Sequence, residues 1–135
     1  MDILCPLFVQ VALTFILLLA TGISRFRSVN SGAVKAKDIA LRQPNWTQQP
    51  TKFANSFHNQ LETPILFYLL VTLLLVTDKV TDTLIYLAWG YVAARIIHAL
   101  IHVTYNHVLH RFLIFIISIA ILAAMWVMFY QNVSI

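Results

Sequence analysis

The chain has 135 residues, of which 60% are apolar and 10% charged, a composition that excludes a soluble enzyme and points to a membrane protein. That length allows one domain, residues 1–135, rather than two. The formal net charge of +4 lacks the folded basic face a nucleic-acid binder needs, and the single cysteine, Cys5, excludes an intrachain disulfide.

Four apolar runs, roughly 5–23, 61–77, 84–103 and 112–130, reach or approach the ~20 residues a helix needs to cross the hydrocarbon core. The second run is long enough only with the polar stretch that starts near Phe53. Open strands cannot cross lipid, so the expected fold is an all-α membrane protein, a four-helix up-down bundle. No basic residue precedes the first run, whereas Arg25 and Arg27 follow it, an order expected of a retained anchor rather than a signal peptide.

The connection from about Ser24 to Pro50 is the only long one. It and its flank carry Arg25, Arg27, Lys35, Lys37, Arg42 and Lys52, and the connection after the third span ends at Arg111. The positive-inside rule then puts both connections in the cytoplasm and both termini outside. Ala33 to Arg42 reads either as a short interfacial helix or as a basic loop touching anionic headgroups. The glycosylation patterns at Asn45 and Asn132 are discounted, being cytoplasmic and terminal respectively.

Pro64 frees the carbonyl of Gln60 and predicts a bend just beyond Glu62. Thr81 or Asp82 is placed to cap the third span. Tyr86, Trp89, Trp126 and Tyr130 fit an aromatic belt at the outer interface.

A polar stripe interrupts this apolar background. Asn55, Asn59 and Glu62 stand at i, i+4 and i+7, on one helical face. Arg95, His98 and His102 stand at i, i+3 and i+7 on the third span. Glu62 lies roughly 15 Å in from the cytoplasmic end and Arg95 roughly 14 Å, so the two charges are expected to meet as a buried pair. With Arg111 opening the fourth span, these faces predict a wet, cationic cavity open to the cytoplasm. Helix gluing alone explains the pair, but not so many polar groups on two facing stripes. A metal or haem site is a rival reading: His98 and His102 have ligand spacing, and His58, His107 and His110 are near in sequence, yet no Cys or Asp joins them.

These residues resemble the MAPEG family, membrane-associated proteins in eicosanoid and glutathione metabolism, from Thr21 to about Phe115. Thr21-Gly22-Ile23-Ser24-Arg25-Phe26-Arg27 is similar to the end of the family's first helix, and Asn59-Gln60-Leu61-Glu62 to its second-helix Asn-x-x-Glu signature. Arg95-Ile96-Ile97-His98, with Arg111 sixteen residues after Arg95, resembles the spacing of the prostaglandin synthase branch.

The resemblance implies a bacterial-type, inner-membrane homotrimer that binds glutathione as cofactor between subunits. It carries over Arg25, Asn59, Glu62, His98 and Arg111 as glutathione contacts, with Arg95 supporting Glu62; His102, on the same face as His98, completes the expected cofactor-binding set. Arg111 would stabilise the thiolate that attacks a lipophilic substrate, in transferase or peroxidase chemistry. The chain departs from the family at Asn55 and His58, where arginines are common, at His102, where tyrosine is usual, and at His107, which replaces a basic residue. Those departures lower the positive charge and keep open an alternative, a non-catalytic member that binds a lipid or another anionic ligand.

Overall fold

In a computed structural model, which describes residues 2–40 and 45–134, the chain is helical wherever it is regular, with no strand among those residues. Helix α1 spans Leu4–Asn30, α2 Gln48–Asn59, α3 Pro64–Val76, α4 Asp82–Val103 and α5 Val108–Val133, with a short 3-10 turn at Ala36–Ile39. Helices α2 and α3 together make one span, Gln48–Val76, so four segments are long and apolar enough to cross a membrane.

The second span is broken rather than bent. Pro64 has no N–H to offer Gln60, and helical bonding stops at Asn59. Across the break, i→i+3 bonds replace the α pattern: Gln60 N–H donates to Phe57 O at 2.9 Å and Leu61 N–H to His58 O at 3.0 Å. Pro64 then takes the first position of α3, where its fixed φ suits a helix start.

One buried polar contact holds this break against α1. Gln10 Nε2 donates to Gln60 Oε1 at 2.8 Å, and both side chains are fully buried. In hydrocarbon such an amide has no water to turn to, so it finds a partner on the neighbouring helix.

The apolar core gathers Phe67, Leu70, Val71 and Leu74 of α3 against Leu84, Ala88, Tyr91 and Val92 of α4 and Leu122 and Met125 of α5. Phe67 stacks on Tyr91 at a centroid distance of 4.7 Å. Thr81 caps α4 by accepting from Leu84 N–H at 3.3 Å, as the sequence predicts. Lys52 Nζ donates to the Thr104 carbonyl at 2.9 Å, tying the start of α2 to the end of α4 and confirming that they lie at one level. Of the four aromatic residues expected at the outer interface, Tyr86, Trp89 and Tyr130 are exposed, and Trp126 is half-buried and packs edge-on against Phe129 at 6.1 Å. Of the segment read either as an interfacial helix or as a basic loop, residues 36–39 form a 3-10 turn, and its last two residues, 41 and 42, lie outside the described residues.

Candidate functional site

The break in the second span creates the floor of a cavity. Because Thr63 N–H no longer reaches it in α-helical register, the Asn59 carbonyl is left at the C-terminal end of α2. Arg95 Nη2 donates to it at 3.1 Å from α4. A guanidinium suits that place twice over, as a second donor to a carbonyl that otherwise accepts only a long 3.5 Å bond from Glu62 N–H, and as a cation at the negative end of a helix dipole. Arg95 is fully buried, and its Nε and Nη1 have no hydrogen-bond partner among the described residues.

The expected ion pair between Glu62 and Arg95 is therefore replaced by this backbone contact. Glu62 falls within the non-helical turn, where its exposed carboxylate lines the cavity and forms no ion pair with Arg95. Helical periodicity cannot predict the direction of a side chain in a segment that is not helical.

Above Arg95 opens a cavity of about 470 Å³. Asn55, His58, Asn59 and Glu62 supply one wall, from α2 and the turn after it. His98 and His102 of α4 form its base, their rings perpendicular at 5.8 Å, with His98 also 6.0 Å from Phe115. The facing wall, from α5, is apolar: Val108, Phe112 and Phe115. Arg111, on the same helix, also lines the cavity.

Arg111 is held in place locally. Its Nη1 donates to Asn106 Oδ1 at 2.7 Å, and its backbone N–H closes the first turn of α5 on His107 O at 3.0 Å. Asn106 has φ of +49°, a left-handed conformation that asparagine tolerates better than most residues. His107 caps the same helix, its Nδ1 accepting from His110 N–H at 3.3 Å. The sequence reading missed Asn106, although an Asn just ahead of a new helix is a turn signal.

Of the residues singled out from sequence, Asn59, Glu62, His98, His102 and Arg111 come together around the cavity, joined by Asn55 and His58. Arg95 lies beneath the floor as a support. Arg25 is elsewhere: it is half-buried on α1, its guanidinium 4.9 Å from the centre of the Trp46 ring. Among the described residues no three His, Cys, Asp or Glu side chains converge as metal ligands, since His107 and His110 are turned to the helix cap and to Tyr105.

The cavity can hydrogen-bond a polar ligand along one wall, place an anionic atom near Arg111, and keep an apolar group on the other. Among comparisons with known proteins, the model of the MAPEG family matches residues 3–130. Neither a curated protein nor a solved structure matches the chain. Matched over nearly its whole length and built on four membrane-length helices, the chain is a multi-pass integral membrane protein that belongs to the MAPEG family.

Proposed function

We propose that the protein is a glutathione-dependent transferase or peroxidase acting on a lipophilic electrophile. The observation that carries the reading is that Arg111 lines one cavity together with hydrogen-bonding side chains of the second span and apolar side chains of α5. The Asn55, Asn59 and Glu62 groups are suited to the amides and α-amine of a tripeptide, with Phe112 and Phe115 left for the electrophile. A free thiol has a pKa near ~8.5 and is mostly protonated at neutral pH. A guanidinium beside the sulfur and the N-terminal end of α5 both favour the thiolate. The thiolate then attacks the electrophile, forming a carbon–sulfur bond as the leaving group departs with its electron pair, or attacks a hydroperoxide, breaking the O–O bond so that the sulfur becomes a sulfenic acid and the alkoxide takes a proton from solvent and leaves as the alcohol.

A homotrimer with its sites between subunits, open to the cytoplasm, completes the proposal, and is the arrangement in which Arg25 of a neighbour can reach the ligand. Native mass spectrometry of the solubilised protein with and without glutathione tests it. The expected result is a trimer that gains glutathione; a protein that takes up none contradicts the proposal. Asn55 and His58, standing where arginines are common in the family, favour a second reading, a non-catalytic member holding a lipid or other anionic ligand on Arg111.

A further inference from the structure

A second cavity lies on the opposite side of α2 from the first and shares no residue with it. It is a groove of about 440 Å³ between the end of α1 and the beginning of α2. Its α1 wall is a single stripe, Ala20, Ile23, Ser24, Arg27 and Ser28, at the 3–4 residue spacing of one helical face. Its α2 wall is formed by Thr47, Gln49, Pro50 and Phe53.

The polarity of these walls is graded along the membrane normal. Helix α1 has 27 residues and rises ~40 Å, more than the ~30 Å of a hydrocarbon core, so its last turns project into the headgroup layer. There the groove offers Arg27, Ser28, Thr47 and Gln49. One to two turns deeper it offers Ala20, Ile23 and Phe53. The Arg25–Trp46 contact holds the incoming loop over α1 at that level, where tryptophan commonly sits.

Charge points the same way. The Arg27 side chain forms no hydrogen bond or ion pair with the described residues, and no acidic residue lines the groove. Ile23 is also largely exposed beside it. An unpaired guanidinium above an apolar slot matches a molecule with an anionic head and a hydrocarbon tail.

We propose that the groove between α1 and α2 binds an anionic phospholipid of the surrounding bilayer. The phosphate lies on Arg27 and the Gln49 amide, and an acyl chain runs down past Ile23 and Phe53. This site is independent of whatever occupies the Arg111 cavity.

The test is native mass spectrometry of the full chain released from micelles doped with equal phosphatidylglycerol and phosphatidylcholine. The parent protein should retain phosphatidylglycerol in excess. Arg27→Gln should lower that excess about fivefold, the effect of one arginine near an anionic surface. Ala20→Phe, which fills the deep end, should lower retention of both lipids, and Lys37→Gln, outside the groove, should change neither. The proposal is overturned if Arg27→Gln keeps the parent's excess and Ala20→Phe keeps the parent's retention of both lipids. It is equally overturned if Ile23→Cys crosslinks to a second copy in the bilayer while no lipid is retained, because the groove is then filled by protein.

Discussion

Glutamine in place of Glu62 removes a carboxylate from the cavity wall and leaves the Arg95 guanidinium on the Asn59 carbonyl. Were Glu62 the buried counter-ion of Arg95, its loss would strand a charge at a cost of about 3–5 kcal/mol. The geometry argues for much less. Glu62 is exposed, and a solvated charge at that kind of distance contributes about 0–1 kcal/mol. Arg95→Leu removes more, namely a charge-assisted hydrogen bond of about 1.5–3 kcal/mol. Part of that is returned, because Nε and Nη1 no longer have to be buried without partners, so a net loss of about 1–2 kcal/mol is expected. Thermal unfolding of the parent, the two single variants and the double variant measures the coupling. It should be below about 1 kcal/mol, close to additive. A loss above about 3 kcal/mol on Glu62→Gln, rescued by Arg95→Leu, would refute the reasoning and restore the ion pair.

Three further predictions follow from separate contacts. Gln10→Leu leaves the Gln60 amide oxygen without its 2.8 Å donor, and should destabilise by about 1 kcal/mol, with Gln60→Leu recovering part of it; full stability of Gln10→Leu would show the contact to be idle. Asn106→Gly keeps the left-handed backbone and removes the 2.7 Å brace on Arg111, so melting temperature should hold while glutathione affinity falls severalfold; unchanged affinity would mean that Arg111 is positioned by other groups. Lys37→Cys should resist an impermeant thiol reagent in intact cells and react in inverted vesicles, and the reverse pattern would invert the topology.

Much of this architecture was legible in the sequence because hydrocarbon imposes simple rules. An apolar run must be a helix of a certain length, and Thr81 or Asp82 ahead of such a run is placed to cap it, which Thr81 does. The same logic placed Asn59 and Glu62 opposite His98 and His102, since residues one or two turns apart share a face and Lys52 and Thr104 mark a common level. What stayed hidden depends on backbone geometry. The proline signalled a bend, but the change to i→i+3 bonding over residues 60–62 left Glu62 lining the cavity without an ion pair, while Arg95 donates to the Asn59 carbonyl instead. Gln10, one amide in an apolar run, gave no hint that its partner lay fifty residues away. Trp46 as the neighbour of Arg25 was equally hidden, since loop paths follow no period.

The central claim is that Arg111 activates a thiol held in the α2–α4–α5 cavity. It is tested most directly by titrating the ultraviolet absorbance of the thiolate against pH, with glutathione bound to the parent protein and to Arg111→Leu. The account predicts a thiol pKa well below ~8.5 in the parent that returns toward that value in the variant, with much of the binding retained. Glutathione that binds the parent with an unshifted thiol pKa would contradict it.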